Sequence, residues 1–283
     1  MRAALFPGQG VEATAVLEGL HDGPLLDKAN ECLGTDLRAA VERCLDRARP
    51  TLPTDVAQPA IFVAGVTAHA GSAEVFDVYA GHSVGEYTAL AAAGAIAPVD
   101  ALKLVCARGR AMKEAARVSP GGMAAVKGVG DDELDDICAR SGTWVANDNS
   151  PAQLVIAGPD EPLAEAAKLV RAAGGRALLL AVEGAFHTPA MAPAAALLED
   201  ALDHTPVHMP RVPVVSNVTA RPYRAPGEIR RMLMRQLTKR VRFRESVVWM
   251  AAAGVTDFVD LGPGRVAHKL AAATVTAGDP VRA

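Results

Sequence analysis

The chain has 283 residues, half of them hydrophobic, and a net charge of -3. That composition supports a sizeable folded core and excludes both a disordered chain and nucleic-acid binding by overall charge. Aromatics are only 4%, so the core must be built from small aliphatic side chains, and no apolar run approaches the ~20 residues of a membrane span.

Residues 2–6 read as a strand that runs into Pro7-Gly8-Gln9-Gly10. The chain opens on this apolar strand and not on a basic stretch followed by an apolar one, so the expected location is the cytoplasm. Residues 24–48 place Leu25, Leu33, Leu37, Ala40, Val41 and Leu45 at helical spacing, followed by a turn with Pro50 and Pro53. Residues 57–70 predict a buried helix. Residues 75–80 predict a short apolar strand leading into Gly81-His82-Ser83-Val84-Gly85, then a helix through about Ala93. Residues 99–117 carry a further amphipathic helix. This alternation predicts a parallel sheet covered by helices, an α/β fold.

The middle of the chain has a different order. Met123 to Val129 reads as a strand, Asp131 to Arg140 as a helix, and Trp144 to Asn147 and Gln153 to Ala157 as strands around a turn at Asp148 to Pro151. Glu161 to Ala173 then reads as a helix and Arg176 to Val182 as a strand. The order βαββαβ is the ferredoxin-like pattern. A small domain is therefore expected at 121–183, inserted into a larger domain formed by 1–120 and 184–283. The large domain resumes with strands at Val212 to Asn217 and Asp257 to Leu261, the latter ending in Gly262-Pro263-Gly264.

Chemistry concentrates at Gly81-His82-Ser83-Val84-Gly85. It is a Gly-x-Ser-x-Gly sequence between a strand and a helix, which is the context a nucleophilic serine on a sharp turn requires. The turn lifts the hydroxyl clear and sets the Val84 N–H at a helix N-terminus, where it can bind an oxyanion. A serine needs a base. Among seven histidines, His187 in Gly184-Ala185-Phe186-His187-Thr188-Pro189 sits just after the inserted domain, at a hinge where clefts form. Spacing alone does not settle that choice. Cys32, Cys44, Cys106 and Cys138 have neither the Cys-x-x-Cys spacing nor histidines at zinc-ligand distance, so they are expected to be ordinary thiols, with no metal.

Six segments occur in order: Phe6-Pro7-Gly8-Gln9-Gly10, Gly81 to Tyr87, Arg108-Gly109-Arg110-Ala111-Met112, Asn147 to Gln153, Ala185 to Pro189 and Gly262-Pro263-Gly264. Together they resemble the malonyl-CoA:acyl carrier protein transacylases and the acyltransferase domains of polyketide synthases, over nearly the whole chain. The resemblance implies a hydrolase-like α/β domain with the ferredoxin-like insertion. It implies Ser83 as the acylated nucleophile and His187 as its base, with the N–H groups of Gln9 and Val84 as oxyanion hole. Arg108 would hold the free carboxylate of the malonyl group, a task suited to a fixed guanidinium fork. The resemblance further places the backbone carbonyl that orients the histidine at about Arg242, and substrate-binding residues at Phe186, Asn149 and Gln153. Asn149 and Gln153 fit equally well as residues that cap a turn.

The implied reaction moves an acyl group from malonyl-CoA to the phosphopantetheine thiol of an acyl carrier protein, without metal or bound cofactor, in a monomer that contacts neither nucleic acid nor membrane. Phe186 would crowd an α-methyl branch and favour malonyl. Nine Lys or Arg and one acid, Glu228, lie between Arg221 and Arg244. Arg230, Arg231 and Arg235 there could steer an acidic carrier, or simply form a solvated helix face. Val11-Glu12 departs from the Ser-Gln usual after this glycine, which bears on the acyl group accepted. Three other functions stay open on the sequence: a thioesterase-like serine hydrolase using Asp100, Asp131 or Asp160, a non-catalytic docking module, and the transacylase of malonate decarboxylase.

Overall fold

Two sheets organise the chain, and the site lies where they meet. The structure, a computed structural model, describes residues 1–45 and 51–278. Its first part comprises β1 (Arg2–Phe6), α1 (Ala13–Gly19), α2 (Pro24–Leu33), α3 (Leu37–Leu45), α4 (Thr54–Gly71), β2 (Val78–Gly81), α5 (Gly85–Ala92) and α6 (Pro98–Val118). Then follow β3 (Gly122–Lys127), α7 (Asp131–Ser141), β4 (Trp144–Ser150), β5 (Gln153–Gly158), α8 (Asp160–Ala172) and β6 (Arg176–Leu179). The last part comprises α9 (Ala192–Asp203), β7 (Val214–Val215), α10 (Pro226–Gln236), β8 (Val241–Arg242), α11 (Phe243–Ala252), β9 (Asp257–Asp260) and α12 (Val266–Ala277).

The first sheet has the order β7-β2-β1-β9, with every pairing parallel. Ala3 to Phe6 and Val78 to Gly81 are apolar at successive positions because both faces of their strands are covered. Phe6 and Tyr79 face α4, α5 and α6 on one side; Leu5 and Val78 face α11 and α12 on the other. Helix α4 spans the helix expected over 57–70 and is buried along Ala57 to Gly65, while residues 66–71 are half-buried or exposed. No described helix is long and apolar enough to cross a membrane.

The second sheet has the order β6-β3-β5-β4, antiparallel throughout, as a ferredoxin-like unit requires. One face packs on α7 and α8 through Ala124, Val126, Ile156 and Leu134. A fifth strand, β8, adds to it in parallel, pairing Asn147 with Val241 and Asp148 with Arg242. It comes from outside the βαββαβ segment, and two residues are too short a run to read from sequence. Just beyond it, Arg244 pairs with the buried Asp148 at 2.8 Å and with Asp131 at 2.5 Å, fastening this sheet to α11.

Several elements differ from the sequence reading. The helix expected over 24–48 is two helices, broken where Gly34 takes φ 67 and caps α2; residues 46–48 and Pro50 lie outside the described residues. Strand β4 runs on through Ser150 with two register shifts, so the turn is only Pro151-Ala152. The strand expected over 212–217 shortens to β7, and β6 ends at Leu179.

The turn between β2 and α5 admits no side chain at its ends. A Cβ on Gly81 would sit 2.0 Å from the Gly85 carbonyl carbon, and one on Gly85 would sit 2.2 Å from the Phe6 carbonyl oxygen. Both neighbours are backbone and cannot swing aside. Gly85→Ala is therefore expected to lower stability by about 2–4 kcal/mol. Gly227→Ala, in the first turn of α10 with nothing within 4 Å, is expected to be neutral or stabilising by about 0.5–1 kcal/mol. Urea unfolding of the two variants measures the difference.

Candidate active site

Ser83 occupies the tip of that turn with φ 52, a left-handed conformation that costs a non-glycine residue energy. Surrounding bonds hold it there. The Ser83 N–H donates to Asn217 Oδ1 at 2.7 Å, and Asn217 Nδ2 donates to the Gly81 carbonyl at 2.6 Å. The hydroxyl oxygen lies 2.8 Å from His187 Nε2. His187 also has positive φ, 61, in the segment that returns from β6 to the large sheet.

The other ring nitrogen of His187, Nδ1, lies 2.7 Å from the carbonyl oxygen of Gln236. A carbonyl only accepts, so Nδ1 carries the proton and Nε2 is the free acceptor facing Ser83. This corrects the sequence reading, which put the orienting carbonyl at Arg242. The Arg242 carbonyl instead accepts from Ser246 Oγ at 2.8 Å. Gln236 is the last residue of α10, where a helix leaves its carbonyls without intrahelical donors, and that spare acceptor serves the imidazole. Among the described residues no carboxylate takes this place: Asp100 pairs with Lys103, Asp131 pairs with Arg244, and Asp160 is exposed at the start of α8.

Arg108, on α6, is 0% exposed. Its Nη2 donates to Ser83 Oγ at 3.0 Å and to Gln236 Oε1 at 2.8 Å, and its Nη1 donates to Gln58 Oε1 at 2.6 Å. The face of Tyr87 lies 5.4 Å from the guanidinium carbon. Every one of these partners is neutral. Among the described residues Arg108 Nε has no acceptor. Burial and the Arg108 cation together push the His187 imidazole down to about 3, so it stays neutral and able to take a proton.

A cavity of about 320 Å³ opens on this group, lined by Ser83, His187, Gln9, Met112, Phe186 and Asn147 among others. Among the described residues, neither the Gln9 nor the Val84 main-chain N–H has an acceptor. Asn147 was not singled out in the sequence. It is 8% exposed, and its Oδ1 has no partner among the described residues. Its signal was its place as the first residue of the segment Asn147 to Gln153, straight after the apolar Val145-Ala146, and register shifts in β4 lie on either side of it. Asn149 and Gln153 lie elsewhere. His82 Nε2 is 2.8 Å from Asn149 Oδ1, and Asn149 Nδ2 donates to Gln153 Oε1 at 3.0 Å. Both line a second cavity of about 210 Å³, sharing Gln9, His82 and Asn147 with the first, and neither lines the cavity at Ser83.

A serine on a strained turn, a neutral imidazole aimed by a main-chain carbonyl, and free N–H groups beside them define the class of serine acyl-transfer sites. The chain belongs to the acyl transferase domain family, whose sequence model matches residues 28–281. It is 37% identical over 278 residues to the malonyl CoA-acyl carrier protein transacylase of Bacillus subtilis, covering 93% of this chain and 87% of that protein. It is 38% identical over 279 residues to polyketide biosynthesis protein ThaF of Burkholderia thailandensis, covering 94% of this chain and 23% of that protein. Among solved structures, the acyl-carrier-protein S-malonyltransferase of Burkholderia pseudomallei superposes with a TM-score of 0.87 at 36% identity, over 96% of this chain and 92% of that one. A malonyl-transacylase solved in complex with a type II polyketide acyl-carrier protein superposes with a TM-score of 0.86 at 34% identity, over 97% and 93% of the two chains.

The depressed basicity of His187 has a measurable consequence. Labelling of Ser83 by a neutral fluorophosphonate should hold its rate from pH 8 down to about pH 5, because the imidazole stays unprotonated through that range. A histidine near its usual value would lose rate about tenfold per pH unit below 6.5.

Proposed function

We propose that this protein transfers a malonyl group from coenzyme A to the phosphopantetheine thiol of an acyl carrier protein, through an ester on Ser83. The observation that carries this is Arg108, a fully buried cation with neutral partners only, touching the nucleophile's oxygen. A buried guanidinium with no anion in direct contact is costly, and a carboxylate received bidentately supplies that contact. An acyl group whose free carboxylate lies a few bonds from its thioester carbonyl places the two at Arg108 and Ser83 together.

His187 Nε2 takes the Ser83 proton as the oxygen attacks the thioester carbonyl. The Gln9 and Val84 N–H groups receive the oxyanion. As the carbon–sulfur bond breaks, the His187 proton passes to the coenzyme A sulfur. The carrier's thiol then gives its proton to His187 and attacks the ester, and Ser83 regains the proton as it leaves. Atoms and charge balance with the two thiols alone. Phe186, at the cavity wall, limits space beside the α-carbon and favours malonyl over a methyl-branched acyl group. Arg230 is used within the fold, donating to the Leu202 and Thr205 carbonyls at the end of α9, so carrier steering falls to the exposed Arg231 and Arg235. We place the reaction in the cytoplasm, with Cys32, Cys44, Cys106 and Cys138 all free thiols.

Intact-mass analysis after incubation with malonyl-CoA, without carrier protein, tests this reading. One malonyl adduct is expected, absent in Ser83→Ala, and forming about a hundredfold more slowly in Arg108→Ala. An adduct of equal rate in Arg108→Ala would remove the carboxylate clamp. Thioester hydrolysis with no adduct would indicate a hydrolase.

A further inference from the structure

Glu86 is a buried acid that the transfer chemistry leaves unused. It lies in the first turn of α5, three residues after Ser83, and is 0% exposed. Its Oε1 accepts from the Asn217 main-chain N–H at 3.0 Å and from the Tyr223 hydroxyl at 2.5 Å. Its Oε2 accepts from Gln236 Nε2. Carboxylates are seldom fully buried without a cation in contact, and here all three direct partners are neutral donors.

Gln236 gives this arrangement its meaning. Its Nε2 also donates to the Ser83 carbonyl at 3.0 Å, its Oε1 accepts from Arg108 Nη2 at 2.8 Å, and its main-chain carbonyl holds His187. One residue thus touches the nucleophile, the clamp and the base. A side-chain amide can flip end for end, and only its partners decide which end is oxygen. Glu86 accepts hydrogen bonds and Arg108 donates them, so the amide lies with nitrogen toward Glu86 and oxygen toward Arg108. Reversing it would face nitrogen against guanidinium.

We infer that Glu86 is a positioning residue for substrate selection: it fixes the Gln236 amide, and through it holds Arg108 in the orientation that receives the substrate carboxylate. The inference rests on the proposed role of Arg108. Replacing Glu86 by Gln keeps the volume and the acceptor for Asn217 and Tyr223, but turns a donor toward Gln236. The Gln236 amide then loses the acceptor-only partner that holds its nitrogen, is held less firmly against Arg108, and the guanidinium is less well oriented. The Ser83–His187 hydrogen bond and the bond from His187 to the Gln236 main-chain carbonyl involve neither the Gln236 amide nor the guanidinium.

The test compares wild type, Glu86→Gln, Tyr223→Phe and Arg108→Ala in two assays: KM for malonyl-CoA in transfer to carrier protein, and the rate of Ser83 labelling by a neutral fluorophosphonate. Glu86→Gln is expected to raise the malonyl-CoA KM about tenfold while labelling stays within about threefold. Tyr223→Phe, which removes one donor without loss of volume, should shift KM the same way by about threefold. If Glu86→Gln does not fold, Tyr223→Phe decides the matter by the same split. An unchanged KM, or labelling that falls in proportion to transfer, overturns the positioning role. If Arg108→Ala itself leaves the malonyl-CoA KM unchanged, the clamp fails first and the inference with it; a raised KM there with none in Glu86→Gln overturns the inference alone.

Discussion

A buried guanidinium with no carboxylate in hydrogen-bond contact is the constraint on which the rest of this molecule turns. Arg108 reaches Ser83 Oγ, Gln58 and Gln236, and none of them cancels its charge. Glu86 is the acid bonded into the same network; it reaches Arg108 only through the Gln236 amide, and while burial pushes its carboxyl up to about 7, its three donors and the Arg108 charge act to keep it ionised. The charge of Arg108 is therefore compensated only at one remove, in a medium that solvates it poorly. Stability spent there is recovered as selectivity, since an anionic acyl group gains more on entering than a neutral one of the same size.

The same charge couples substrate to base. Arg108 is the second cause, after burial, of the low basicity of His187. On the proposed reading, a carboxylate seated against the guanidinium opposes that contribution. The far side of the imidazole meets a main-chain carbonyl and not an acid. A helix C-terminus supplies the orienting carbonyl at no cost in buried charge.

Much of this was legible in the chain. The strand before Gly81, the two glycines and the helix after them dictate the turn, because the packing of Gly81 on Gly85 and of Gly85 on Phe6 allows no side chain. The βαββαβ run predicts the second sheet because its turns and periodicities are local. The Gln236 carbonyl was not legible, since any residue supplies a carbonyl and only the end of α10 makes this one available. Asn147 was obscured for a related reason: alternation along a strand assigns faces, and the shifts in β4 break the alternation there. Strand β8, two residues long, joins its sheet only through tertiary structure.

The central claim is that Arg108 receives the carboxylate of the acyl group carried by Ser83. A crystal structure of the protein trapped as its malonyl-Ser83 ester tests it most directly. The account predicts the carboxylate in two hydrogen bonds with the Arg108 guanidinium, with the Gln58 or Gln236 side chain displaced to make room. A malonyl group whose carboxylate points into the open cavity, with Arg108 still bonded to Gln58, Ser83 and Gln236, would contradict it.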